Sequence, residues 1–426
     1  MEVPSFIEKL KVNVPNANQY PRTLRNVLGQ KPYSITVNWK DELFVLNSQR
    51  RQSDFGIVAV RQSNGIIMET PEPTTGKPNI VAFSFNVIRD YAESMKESLT
   101  SDWTDYQVEN LIDGAVVRLY WYKNQWNVAT LKCIDARDAN WSSKRSFYDL
   151  FVEAAGISKL DYEKLNKQYC YTFIVRHPSN HMIVKYDRSS LIHLCTVDIN
   201  AISEENSIGY VEHDIGILRP NQYDFSTFDE FWKEVQNPVE GPFNETSILG
   251  FILTHKTTGD KIKIEKDNYR LARRMKGNCP NINYRVLELL REDQFSLEGE
   301  QRRQFLYFFP QYEGNYTKME SNFQRLVKRI YETYEALYTR SSVSSQQIDP
   351  MEKHILDDLY YTQIEEGRRV GYHRVERYLR NLSVFRLAYL LSTPYYIPKN
   401  KNYNQNKQSS YQVYAPRANG HNQVYF

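Results

Sequence analysis

Between residues 261 and 276 the cations Lys261, Lys263, Lys266, Arg270, Arg273, Arg274 and Lys276 far outnumber Asp260, Glu265 and Asp267. Such a cluster suits phosphate groups, which release counterions when cations displace them, and its other reading is a solvated helix face. Nearby rings such as Tyr269 offer faces on which any base can stack, and the 32 tyrosines outnumber the 20 phenylalanines and 6 tryptophans together. Half-buried tyrosines on sheets and helices are the plainer account of that excess. His177 and His181 are four apart, but Pro178 forbids the helix that would bring them to one face, so no metal pair is expected. Cys133, Cys170, Cys195 and Cys279 have no paired spacing, which argues against zinc and against a disulfide framework. Neither a Gly-rich phosphate loop nor Ser-His-Asp spacing is present.

The elements that must position these residues are of two kinds. From Pro32 to about Lys266, short runs rich in Val, Ile, Tyr and Phe alternate with turn residues. They predict strands over 34–39, 42–46, 56–60, 65–68, 80–87, 115–122, 126–131, 171–176, 182–186, 191–197, 247–254 and 261–264. Connections of a few residues allow antiparallel hairpins but not parallel crossovers. A helix is expected over 146–155, stopped by Gly156. After about Asn278 the apolar period becomes helical, with helices over 316–338, 350–360 and 370–391. The expected class is α+β, a mainly antiparallel-sheet core followed by a helical C-terminal domain. The division is 1–278, 279–394 and a basic Asn/Gln/Tyr-rich tail, 395–426, which holds no acid and should be disordered.

Four segments in order carry a family resemblance: Leu111-Ile112-Asp113-Gly114-Ala115-Val116, then residues 171–186, then Leu249-Gly250-Phe251-Ile252, then Lys261-Ile262-Lys263-Ile264-Glu265. The series resembles the bacteriophage-type RNA ligases and their relatives encoded by large nucleocytoplasmic DNA viruses, over roughly Asn64 to Lys276. That family reads K-x-D-G-S/T-L, F-E-x-x-x-P-x-N-R-x-V, E-G-Y/F-V and K-x-K. Phe173, Pro178, Asn180 and Tyr186 stand at family spacing. The resemblance implies a nucleotidyltransferase core in which a lysine amine attacks the α-phosphate of ATP.

Here the chain departs from the family. Aligned on Asp113-Gly114, the nucleophile position is Leu111, and the two carboxylate positions are Ile174 and Leu249. Hard divalent ions need oxygen ligands, so these replacements remove the implied means of holding Mg²⁺. Of the paired lysines, Lys263 is kept and Glu265 takes the second place, or the pair is Lys261 and Lys263. A rival register uses Glu240-Gly241, followed by Pro242. Lys132 and Lys144 read as ordinary surface amines rather than substitute nucleophiles. A filled, dry cleft is expected, with no catalytic residue, no metal and no cofactor; ATP and Mg²⁺ belong only to the alternative of an active ligase with a rebuilt site.

The composition agrees with a folded chain: 426 residues, 41% hydrophobic, 25% charged, net charge +3. No apolar run approaches the roughly 18 residues that span a bilayer. The expectation is a cytoplasmic protein, of a viral factory or virion if viral in origin. It would be a pseudoenzyme that binds RNA or another protein subunit, with a purely structural assembly subunit as a further alternative.

Overall fold

The computed structural model describes residues 3–9, 19–49, 52–71, 78–202, 209–296 and 298–392. The tail 395–426 lies outside them. The described chain is a mixture of helices and mainly antiparallel sheet and divides into two compact units, the first running to Arg273 and the second from Arg274.

The first unit holds three sheets. The first is the meander β1 (Ile35–Lys40), β2 (Leu43–Ser48), β3 (Asn64–Glu69) and β4 (Asn79–Ala82). The helix Tyr20–Leu28 covers it, burying Leu24 and Leu28 with Ile35, Val37 and Phe44. Two short strands follow in the chain, β5 (Arg89–Asp90) and β6 (Tyr106–Asn110), and then the hairpin β7 (Ala115–Tyr122) and β8 (Gln125–Thr130). With β9 (Tyr169–Arg176) and β10 (Ser190–Asp198) this hairpin makes the second sheet, in the order β10-β9-β7-β8. The third sheet adds β11 (Gln222–Tyr223), β12 (Gly250–His255) and β13 (Lys261–Glu265), in the order β11-β6-β12-β13-β5. Among the described residues, the one parallel pairing is that of the two-residue β5 with β13.

Hydrophobic periodicity explains most of this. Odd-numbered residues of β7 and β9, among them Val117, Leu119, Tyr171, Phe173 and Val175, face a core closed by the helix Phe147–Ile157 through Phe147, Leu150, Phe151 and Ala154. That helix begins with a reciprocal capping box between Ser146 and Asp149, a start signal written in the sequence. It continues one residue past Gly156. Arg118 points the other way from β7 and is fully buried. Its guanidinium donates to the carbonyl of Gly65 in β3 and, at 2.6 Å, to that of Thr130 in β8, and burial lowers its pKa.

Four expectations need correction, the first being that the strand expected over 80–87 ends at Ala82. Residues 56–60 are not a strand: Val58–Gln62 is a short helix that buries Ala59 and Val60. Residues 182–186 are not a strand either, because the N–H groups of Ile183 and Val184 both donate to the Asp113 carboxylate and cannot serve a ladder. The expected helix 370–391 is two, Tyr372–Arg380 and Val384–Ser392, parted at Asn381-Leu382-Ser383.

The second unit is helical. Val286, Leu289 and Leu290 of the helix Ile282–Glu292 are buried, as are Phe323, Leu326, Val327 and Ile330 of the long helix Glu313–Tyr334. Phe295 stacks on Phe323 at 3.9 Å between ring centres, with the Arg380 guanidinium beside both rings. No described helix is long and apolar enough to cross a membrane.

The second sheet carries a buried titrating group. His193 is 1% exposed, lies against Phe173 and shares a 2.9 Å hydrogen bond with the Thr196 hydroxyl. Burial, with Arg219 and His213 nearby, pushes its pKa from 6.5 down to about 4. The stabilising neutral state is complete above pH 6.5 and is lost as the pH falls toward 4. Denaturant midpoints of the full chain between pH 7 and 4 should therefore fall by an amount equivalent to about 3 kcal/mol. His193→Gln should flatten much of that slope; an identical slope in the variant would exclude His193 as its source.

Candidate functional site

The chain leaves the third sheet at Asn110 and enters the second at Ala115. The four residues between, Leu111-Ile112-Asp113-Gly114, make the crossing. The Leu111 N–H donates to the carbonyl of Gly250 at 2.9 Å, which fixes the crossing to the start of β12. Ala115 then pairs with Val175 of β9. Glycine is required at two places by close approach. A Cβ on Gly114 would lie 2.4 Å from the Ile174 side chain and 2.8 Å from the Val175 carbonyl oxygen. One on Gly250 would meet the Ile264 carbonyl oxygen at 2.2 Å.

Asp113 is 2% exposed and organises what surrounds the crossing. Its Oδ2 accepts from the N–H of Ile183 at 2.9 Å and of Val184 at 2.8 Å. Its Oδ1 accepts from the Tyr269 hydroxyl at 3.1 Å, and its backbone carbonyl from the Tyr186 hydroxyl at 2.7 Å. Burial, with the adjacent carboxylate, drives both tyrosine pKa values far up, so both remain donors. The β9–β10 connection is also held at both ends. Glu153 accepts from Ser189 at 3.0 Å, and His177 Nε2 lies 3.1 Å from it. The Arg145 guanidinium at 2.7 Å and the Ser189 hydroxyl are the main causes that pull the Glu153 pKa down to about 2. The His181 ring instead contacts the Ile183 carbonyl, so the two histidines serve different partners. Phe173 is a core residue, and Asn180 is buried.

Leu111, Ile174 and Leu249 are each at most 2% exposed. Leu111 and Ile174 line a cavity of about 30 Å³ together with Ile112, Ile252, Phe85 and Ile88. Glu109, Asn110 and Lys261 also line it, so its lining is not wholly apolar. Burial raises the Glu109 pKa against the opposing effect of Lys261. Room for about one water is far short of the several hundred Å³ typical of cofactor sites. Leu111, Ile174 and Leu249 themselves offer neither an amine nor a carboxylate. Glu240, of the rival register, is exposed in the loop before β12.

The cations of 261–276 do not form one solvent-facing cluster, because carboxylates draw several of them inward. Lys263 is buried between Asp90, at 3.1 Å, and Glu265, at 2.8 Å. Lys266 is buried against Glu234 at 2.7 Å and the Asn237 carbonyl at 2.9 Å. Arg273 pairs with Glu265 at 2.8 Å, and Arg270 with Asp267. Lys261 donates to the Thr254 hydroxyl at 2.7 Å. Lys276 is buried over the rings of Phe309 and Tyr312. Arg270 and Arg274 remain exposed. The expectation for Lys132 also changes: partial burial lowers its pKa to about 8, whereas Lys144 is exposed. Sequence reasoning missed Asp90 and Glu234 as the partners that bury the lysines, since both lie far from 261–276 in the chain.

Asp113→Asn would keep one oxygen for the Ile183 and Val184 N–H groups but place an amide NH2 opposite the Tyr269 hydroxyl and remove the charge that strengthens these bonds. The full chain should lose about 3 kcal/mol of stability, read as a lower denaturant midpoint, with Asp113→Glu no better because the extra methylene has no room. A variant as stable as the parent would show that these hydrogen bonds do not hold the crossing.

No family model matches the chain. The Immediate-early protein ICP-46 homolog of Invertebrate iridescent virus 6 is 24% identical over 217 residues, 45% of this chain and 44% of that protein. The chain thus spans less than half the length of this curated relative. Among solved structures, an RNA ligase of Naegleria gruberi with ATP and Mn is similar at a TM-score of 0.33 and 11% identity, over 48% of this chain and 64% of that one. A putative ATP-dependent DNA ligase of Aquifex aeolicus is similar at 0.39 and 11%, over 74% and 81%. An archaeal ATP-dependent RNA ligase is similar at 0.38 and 11%, over 86% and 89%.

Proposed function

We propose that this chain is an RNA-ligase-like protein without ligase chemistry, acting as an accessory or virion factor of a large DNA virus that binds RNA or another protein. The observation that carries the reading is the packing at the crossing, where Leu111 and Ile174 line a cavity of about 30 Å³. A lysyl-nucleotide needs an unhindered amine at the position of Leu111, and its formation needs carboxylates near Ile174 and Leu249 to hold a cation. In their place stand aliphatic side chains. Lys263, the cation that the family alignment retains, is engaged by Asp90 and Glu265. The order of the sequence motifs supports a ligase-like ancestry, and the iridescent virus relative supports a viral one. A viral factory or virion in the cytoplasm is the location that fits both.

One observation favours the alternative of a rebuilt active site: Lys132, with its pKa lowered to about 8, is a better nucleophile than an ordinary lysine. The two readings part cleanly. Incubation of the full chain with labelled ATP or GTP and Mg²⁺ or Mn²⁺ should leave it unlabelled after denaturing electrophoresis. A covalent adduct abolished by Lys132→Arg, or by replacement of any other single lysine, would overturn the non-catalytic reading.

Leu111→Lys restores an amine at the crossing but no carboxylates. It should cost several kcal/mol of stability, since the ammonium must be desolvated beside Glu109, a carboxylate that Lys261 already faces, and should not label with ATP. Robust self-adenylation by this variant would show that the missing carboxylates are not what silences the site.

A further inference from the structure

The sequence contains no Asp or Glu between Glu8 and Asp41, while Lys9, Lys11, Arg22, Arg25, Lys31 and Lys40 all fall there. The helix Tyr20–Leu28 buries Tyr20, Leu24 and Leu28 against the first sheet, which turns Arg22 and Arg25, one turn apart, to solvent. Lys31 follows, also exposed. Lys40 is engaged by Asp135 at 2.9 Å and Asp138 at 2.8 Å. Arg22, Arg25 and Lys31, by contrast, form no ion pair among the described residues. Asp54, whose N–H donates to the Pro32 carbonyl, turns its carboxylate back onto the N–H of Gly56 at 2.9 Å.

An aromatic ring belongs to the same face. Trp39 alternates along β1 with Ile35 and Val37, so it shares the side of the strand that the helix covers. Ile35 and Val37 are buried there, but Trp39 is 37% exposed, and the Arg25 guanidinium lies 5.9 Å from its ring centre. Cations without carboxylates beside an accessible indole suit a chain of phosphates with unstacked bases. The segment 261–276 has spent its lysines internally; this face has not.

We propose that Arg22, Arg25, Lys31 and Trp39 form a binding surface for single-stranded RNA, the three cations contacting phosphates and the Trp39 indole stacking on a base. The choice of RNA rests on the ligase-like reading above, but the surface lies outside the stretch that resembles the ligases and uses none of the crossing residues. Recognition is by charge and stacking, so it is indifferent to base sequence.

The test is fluorescence anisotropy of the full chain with a labelled mixed-sequence 12-nucleotide RNA between 50 and 200 mM salt. Three phosphate contacts give a log–log slope of about −2, which is roughly a 20-fold loss of affinity across that range. Arg22→Gln/Arg25→Gln/Lys31→Gln should weaken binding at 50 mM and remove most of the slope. Trp39→Ala should weaken binding about tenfold with the slope kept, and Trp39→Phe should recover part of the loss. Circular dichroism checks that each variant is folded, and Arg270→Gln/Arg274→Gln, which removes two exposed charges elsewhere, serves as a control expected to bind nearly as the parent does. The proposal is overturned by absence of binding at 50 mM, or by an unchanged slope in the triple variant. It is equally overturned if polyglutamate competes as well as RNA while Trp39→Ala has no effect, the result expected of a surface for an acidic protein. A nucleotide adduct with this binding intact would sink only the non-catalytic reading, whereas loss of this binding with no adduct would sink only the RNA surface.

Discussion

The arrangement of the first unit depends on one carboxylate. Asp113 stands where the chain passes from one sheet to another, and its two oxygens collect donors from the β9–β10 connection and from the residues that follow β13. Those donors come from segments 70 and 156 residues away in sequence. A buried carboxylate is costly unless its lone pairs are met, so each of these segments must be in place for the crossing to be stable. Gly114 and Gly250 follow from the same demand, since the backbones they belong to pass too close to β9 and β13 for any side chain.

This constraint separates two roles that a single motif can carry. An Asp-Gly at a sheet crossing has a structural use, in which the Asp gathers backbone N–H groups and the Gly permits close approach, and that use needs no ligand. The residues around it at Leu111 and Ile174 have buried apolar side chains. Under the proposed function, the crossing is a hinge point of the architecture rather than a reaction centre.

Much of this was legible in the sequence because it depends on local periodicity. The alternation in β7 and β9, the capping box at Ser146 and the helical stripe from Met319 to Leu337 each state their own structure. What was not legible depends on partners distant in the chain. Residues 182–186 have the composition of a strand, yet Asp113 takes the N–H groups a strand would need. Lys263 and Lys266 read as surface cations until Asp90 and Glu234 are brought beside them by the fold. The run 56–60 is rich in β-branched residues, but it forms a short helix whose Ala59 and Val60 are buried.

Arg118 has a consequence for how the unit can be divided. Among the described residues its guanidinium is met by backbone carbonyls of β3 and β8 rather than by a carboxylate. The first sheet therefore supplies part of the solvation of a charge that belongs to the second. Removing the residues before β5 would take away one of the two carbonyls that meet this cation and open the face of the second sheet on which it lies. The two sheets are thus joined by this shared cation together with the apolar side chains buried between them, Val45 and Ile67 of the first with Tyr120 and Ala129 of the second.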